Sequence, residues 1–250
     1  MFYEKDCLLC GRCVALCLEH CHRIEEGRHL LNRENCIRCF SCIRVACGAL
    51  EKAGRRITAD EVIRKVVEDE VFYKKSGGGI TLSGGEPLFQ PEFSLELLRR
   101  AKAHGLHTVV ETCGYASGES VEKIAGYTDL FLWDCKETDL VRHRCYTGKD
   151  NRLILDNLER LGRKRKKVIL RCPVIPGYND REDHFFAIGK LVETYAHIEA
   201  VEVEPYHALG EGKRAALGKK RLPIPEPSPE DVERWIQTIR QGTDTPVRRS

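Results

Sequence analysis

From residue 58 onward, short apolar runs alternate with stretches whose apolar residues recur every three or four positions. The first pattern predicts buried strands and the second predicts amphipathic helices. Strands are expected at Gly79–Leu82, His107–Val110, Leu130–Trp133, Val168–Cys172 and Ala200–Val203. Thr58, with Glu61 three residues on, marks a helix start by a capping box, and Ile63, Val66, Val67 and Glu70 continue one face. The next helix, Glu92 to His104, carries the stripe Phe93, Leu97, Leu98 and Ala101 and stops at Gly105. Further helices are expected at Glu119–Gly126, Asp150–Leu161 and Arg181–Tyr195. A last one, Ser228 to Arg240, has Pro229 in its first turn and turns Val232, Trp235, Ile236 and Ile239 inward. Strand and helix in alternation predict βαβ units and a parallel sheet, an α/β fold. Residues 205–227, rich in Pro, Gly and charge, are expected to run extended over the surface.

The first 56 residues follow a different rule. Nine of the 13 cysteines fall within the first 47 positions. Neighbours only two residues apart cannot easily bridge, so metal binding in a reducing, anaerobic, cytoplasmic setting is expected rather than disulfides. Arg55 and Arg56 close this block, which divides the chain into residues 1–56 and 57–250. A net charge of +3 argues against nucleic acid and anionic membrane as partners, and no apolar run has the length of a membrane span. The basic run 162–167 reads as a solvated helix end.

Cys7, Cys10, Cys13 and Cys17 have the spacing C-x2-C-x2-C-x3-C, which resembles the bacterial ferredoxin run. Cys36, Cys39, Cys42 and Cys47 repeat it with one extra residue before the last Cys. In two-cluster ferredoxins the fourth Cys of each run serves the other cluster. The resemblance therefore implies one [4Fe-4S] cluster on Cys7, Cys10, Cys13 and Cys47, and a second on Cys36, Cys39, Cys42 and Cys17. Zinc is the competing reading of C-x2-C pairs. Cys47 is the least regular ligand, Leu18 stands where the run usually has Pro, and Cys21 is left over as a small buried thiol or a substitute ligand.

The unusual polar residues of the second block cluster at one place in the pattern. Ser83, Gly84, Gly85 and Glu86 follow the first expected strand, and Glu111 and Thr112 the second. Asp134 and Lys136 end the third, Arg171 lies on the fourth, and His207 follows the fifth. In parallel β/α barrels the carboxyl ends of the strands carry the active site. Each residue also has a plainer reading: a tight turn, a surface ion pair for Asp134 and Lys136, a structural salt bridge for Arg171, a packed ring for His207.

The segment Gly77 to Phe93, with Ser83-Gly84-Gly85-Glu86-Pro87, resembles the radical S-adenosylmethionine (SAM) enzymes and, within them, the glycyl-radical-enzyme activating enzymes. Glu111-Thr112-Cys113-Gly114, Asp134-Cys135-Lys136 and Pro205-Tyr206-His207 extend that resemblance along the chain. It implies that Ser83, Gly84, Gly85 and Glu86 hold the amino group of SAM, and that Lys136 and His207 contact it. It also implies that Glu111, Thr112 and Asp134 help hold its carboxylate, with a monovalent cation as one route, and that Arg171 reaches the same site. The implied partners are a glycyl radical enzyme and a reduced flavodoxin- or ferredoxin-type electron donor.

The family's C-x3-C-x2-C motif, which binds the cluster that holds SAM, does not occur in these 250 residues. The chain is therefore expected to be a fragment: a partial radical-SAM-type barrel missing its first strand, preceded by a small ferredoxin-like domain. The expected parent cleaves SAM to a 5′-deoxyadenosyl radical, using a third cluster, and abstracts hydrogen from a partner glycine. Whether this chain alone is an enzyme stays open at this point. The alternative is a non-catalytic electron carrier or split subunit with a degenerate barrel.

Overall fold

A computed structural model describes residues 1–45, 47–220 and 222–250, which divide into two compact units. The first comprises Met1–Arg56 with His207–Pro223, the second Ile57–Tyr206 with Ile224–Ser250. Ala46, in the irregular Cys42–Cys47 gap, and Arg221 lie outside the described residues.

In the first unit a short helix, α1 (Arg12–Leu16), precedes an antiparallel hairpin of β1 (His22–Glu25) and β2 (Arg28–Leu31). A bridge between Phe2 and Leu50 ties the start of the chain to the end of the cysteine block.

The second unit begins with α2 (Ala59–Val67) and α3 (Glu70–Ser76). A six-stranded parallel sheet follows, its strands ordered as in sequence: β3 (Gly79–Leu82), β4 (His107–Thr112), β5 (Leu130–Asp134), β6 (Lys167–Val174), β7 (Ile198–Pro205) and β8 (Val247–Arg249). Between them run α4 (Pro91–Ala103), α5 (Gly118–Ala125), α6 (Leu140–Thr147), α7 (Arg152–Arg163), α8 (Glu182–Thr194) and α10 (Pro229–Arg240), while α9 (Glu211–Ala216) belongs to the first unit. The capping box is formed: Glu61 N–H donates to Thr58 Oγ1 at 3.2 Å, and Thr58 N–H donates to the Glu61 carboxylate at 2.7 Å. Thr58→Ala removes one half of it and should cost about 1 kcal/mol, read as a lowering of the melting temperature by about 2–4 °C.

The two faces of the sheet differ. One buries Val110, Phe131, Trp133, Val168, Leu170, Val201 and Val203 in the hydrophobic core. The other carries half-buried Val109, Glu111, Leu132, Asp134, Ile169, Arg171, Glu202 and Glu204. A register shift pairs Val168 with Ile198 but Ile169 with Ala200, so Glu199 bulges out and the alternation of β7 stays in step with β6.

Four elements differ from the sequence expectation. The face expected to run from Thr58 to Glu70 stops at Val67, and Glu70 opens the separate helix α3. Helix α6 was not anticipated, because its sequence Leu-Val-Arg-His-Arg-Cys-Tyr-Thr buries only His143 and has no clear stripe. Strand β8 is three residues long with one buried side chain, too short for a period to show. The segment expected to be extended contains α9, which ends in a Schellman turn: Gly218 N–H donates to Ala215 O at 2.8 Å and Lys219 N–H to Arg214 O at 3.0 Å. Gly210 and Gly212 mask that helix in the sequence.

Candidate functional site

Glycines around β3 serve different ends. A Cβ on Gly79 would collide with the His107 carbonyl across the β3–β4 pair, so this glycine belongs to the sheet. Gly84 has φ +121°, a backbone state that excludes side chains. Gly85 has neither constraint: a Cβ there meets nothing within 4 Å. The turn thus presents exposed Ser83, Gly84 and Gly85 to open space, where a ligand can approach the backbone.

Glu86 anchors this turn. Its carboxylate accepts hydrogen bonds from Leu88 N–H at 3.0 Å, Thr112 Oγ1 at 2.6 Å and Cys113 N–H at 2.9 Å, which joins the end of β3 to the end of β4. Thr112 Oγ1 in turn accepts from Gly114 N–H at 2.9 Å. Burial and the hydrogen bond with Glu86 push the Cys113 thiol up to about 11. Gly114, at φ +71°, lies under the Trp133 ring, which occupies the space a Cβ would need. Asn157, buried on α7, donates to the Gly114 and Ala116 carbonyls at 2.9 Å each and fixes the loop after β4.

The register brings Asp134, Arg171, Glu202 and Arg248 side by side across four strands, with charges alternating in sign. Arg171 pairs with Glu111 at 2.8 Å and directly with Glu204, and lies 3.9 Å from Glu202. Its Nε is buried without a hydrogen-bond partner among the described residues. Arg248 pairs with Glu202 at 2.6 Å. Lys136 Nζ lies 3.4 Å from Asp134. Burial raises the Asp134 carboxyl above its usual range, Lys136 opposes that, and Glu111 adds to it.

The structure therefore gathers Glu111, Asp134 and Arg171 on one sheet face, sets Lys136 just past the end of β5 against Asp134, and links Glu86 to Thr112 at the strand ends. His207 is exposed and falls in the first unit. Sequence reading missed Glu202, Glu204 and Arg248. The alternation Val201-Glu202-Val203-Glu204 signals the two glutamates, since a period of two puts both on one face. Together these groups offer carboxylates for an ammonium group and Lys136 for a carboxylate, the recognition pattern of an amino-acid ligand.

In the first unit, Cys7, Cys10, Cys13 and Cys47 line one cavity, and Cys17, Cys36, Cys39 and Cys42 line a second together with Cys21. Leu8 N–H donates to the Cys47 sulfur at 3.3 Å and lowers its pKa, as bonds from Ser41 do for Cys39. Burial and then Cys17 push Cys21 up to about 11, the state of a buried thiol. Two buried rings went unnoticed in the sequence. His29 Nδ1 lies 3.3 Å from the Cys7 sulfur and His29 Nε2 lies 2.9 Å from His22 Nδ1. With Cys13 they place three possible metal-ligand atoms within 4.8 Å of one another. Among the described residues no helix is long and apolar enough to cross a membrane.

The family model described as the radical SAM superfamily matches residues 23–187. The choline trimethylamine-lyase activating enzyme of Oleidesulfovibrio alaskensis is 40% identical over 99% of this chain and 82% of its own length. The benzylsuccinate synthase activating enzyme of Thauera aromatica is 37% identical over 87% of this chain and 68% of its own. Among solved structures, a domain of pyruvate-formate lyase-activating enzyme from Bacteroides vulgatus superposes with a TM-score of 0.59 at 28% identity, covering 69% of this chain and 99% of that one. The chain belongs to the radical SAM superfamily, and its relatives are activating enzymes of glycyl radical enzymes.

Proposed function

We propose that this chain provides the electron-transfer and SAM-binding parts of a glycyl-radical-enzyme activating enzyme. The observation that carries the reading is the sorting of eight cysteines into two cavities, each combining three cysteines of one run with the last of the other. An all-thiol donor set of four suits a cubane cluster. Cys7, Cys10, Cys13 and Cys47 hold one [4Fe-4S] cluster and Cys36, Cys39, Cys42 and Cys17 the other, in a ferredoxin-type domain of residues 1–56. They pass single electrons from a reduced flavodoxin- or ferredoxin-type donor in the cytoplasm.

The second unit receives SAM. The open backbone at Gly85 and the Lys136 ammonium beside Asp134 fit a ligand with amino and carboxylate ends. Ser83, Gly84, Gly85 and Glu86 hold its amino group. Glu111, Thr112, Asp134 and Arg171 shape the place of its carboxylate, and Lys136 contacts it. One electron, delivered through a third [4Fe-4S] cluster whose C-x3-C-x2-C ligands are not among these 250 residues, would split SAM into methionine and a 5′-deoxyadenosyl radical able to take hydrogen from a glycine of the partner enzyme. The chain's own contribution is to orient the ligand and to set the charge around it.

Anaerobic reconstitution with iron and sulfide, followed by iron analysis, electron paramagnetic resonance and calorimetric titration with SAM, tests the reading. About eight irons per chain, two spin-coupled reduced clusters and saturable SAM binding are expected. Zinc bound in place of iron, or no SAM binding, overturns it.

A further inference from the structure

The His22–His29 pair lies outside the family motifs, and its surroundings constrain it closely. The β1–β2 register brings the two strands together so that His29 stands opposite Ile24, with His22 at the other end of the hairpin strand, and both rings are only 4% exposed. Phe2 packs edge-on against His29, with ring centroids 4.5 Å apart. His29 has one nitrogen toward the Cys7 sulfur and the other toward His22.

A cluster-bound cysteine sulfur carries no hydrogen and can only accept. The proton between Cys7 and His29 then sits on His29 Nδ1. In the neutral ring, His29 Nε2 is left as an acceptor, and the group 2.9 Å away, His22 Nδ1, is its donor. The chain of hydrogen bonds runs one way only, from His22 to His29 to sulfur. The Cys13 sulfur, 3.7 Å from His29 Nε2, receives no hydrogen bond in this arrangement.

We propose that His29, oriented by His22, donates a hydrogen bond to the Cys7 sulfur of the first cluster and thereby raises that cluster's reduction potential. This rests on the two-cluster reading above. The physical cause is general: a donor aimed at a ligand sulfur stabilises the extra negative charge of the reduced cluster. His29 is a positioning and tuning residue, since it touches a ligand sulfur rather than the iron.

The test is a redox titration of the two reconstituted clusters in the whole chain. His29→Phe fills the space and removes the donor. At a fixed applied potential the reduced-to-oxidised ratio of one cluster should fall about tenfold, about 59 mV for one electron, while the other cluster is unmoved. His29→Asn should restore most of the shift, because its amide nitrogen stands where Nδ1 stood. An unmoved potential in His29→Phe, or His29→Asn behaving like His29→Phe, overturns the proposal. A second measurement needs no variant. Pulsed electron paramagnetic resonance on the reduced wild-type chain with 15N-histidine should show a weakly coupled histidine nitrogen and an exchangeable proton at one cluster. No coupling, or the strong coupling of a nitrogen bound to iron, overturns it. If the wild-type chain fails to hold two clusters, or zinc occupies Cys13, His22 and His29, the underlying two-cluster reading falls. If both clusters are present and only the potential is unmoved, the His29 proposal alone falls.

Discussion

Glu86→Gln should weaken SAM binding about ten- to a hundredfold and at the same time destabilise the second unit by about 2 kcal/mol. The two effects have separate causes. A hydrogen bond between an ammonium group and a carboxylate contributes about 1.5–3 kcal/mol, and an amide NH2 facing that ammonium contributes none of it, which sets the loss of affinity. The loss of stability follows from hydrogen bonds already present. The carboxylate accepts from Leu88 N–H, Thr112 Oγ1 and Cys113 N–H, using both oxygens. An amide has one oxygen, so whichever way it is turned its NH2 faces a backbone N–H that has lost its acceptor. One such unsatisfied group costs about 1–3 kcal/mol, and at about 2–4 °C per kcal/mol the melting temperature should fall by about 4–8 °C. Calorimetric titration and a thermal melt read the two effects independently. A variant that melts lower but binds SAM as wild type does would make Glu86 a strut between β3 and β4 and no more.

That double role shows which parts of the molecule the sequence exposes. Short apolar runs located five strands of the sheet to within a few residues, because each buries one face under helices, as Phe131 and Trp133 do on β5. Groups at the strand ends were legible because Ser-Gly-Gly-Glu and Asp-Cys-Lys are not what packing alone selects. What stayed hidden depends on contacts between distant residues. His22 and His29 meet only once the hairpin forms and Cys7 lies against it. Glu202 and Glu204 look like ordinary surface charges until the register sets them beside Arg171. Helix α9 escaped because two glycines outweigh, in a local reading, the turn that ends it at Gly218.

Glu137 is the residue whose importance was least visible, and its removal should cost about 3 kcal/mol near neutral pH. It follows the Asp134-Cys135-Lys136 segment directly, and its side chain is wholly enclosed. Thr138 and Asp139 N–H groups donate to it at 2.9 and 3.0 Å, and Arg181 does so with two nitrogens at 3.1 and 3.2 Å. His184 Nδ1 lies 3.3 Å away. Burial by itself pushes this carboxyl up, but the bonds from His184, Arg181 and the Asp139 N–H outweigh it and bring the pKa down from 4.5 to about 2. The folded value lies below the unfolded one, so the stabilisation is fully present above pH 4.5 and is lost as pH falls toward 2. A depression of this size corresponds to about 3 kcal/mol. Glu137→Gln should therefore be less stable than wild type by about that amount at pH 7, and the gap should close steadily on acidification below pH 4.5. The chain's two tryptophans, Trp133 and Trp235, both lie in the second unit, so urea unfolding followed by their fluorescence reads this unit alone. Parallel stability curves for the two proteins from pH 7 down to pH 3 would show that the ionised carboxylate is not what holds the loop. A closing gap would mean that the loop after Asp134 and Lys136 is held by the charge of a carboxylate that is itself wholly enclosed.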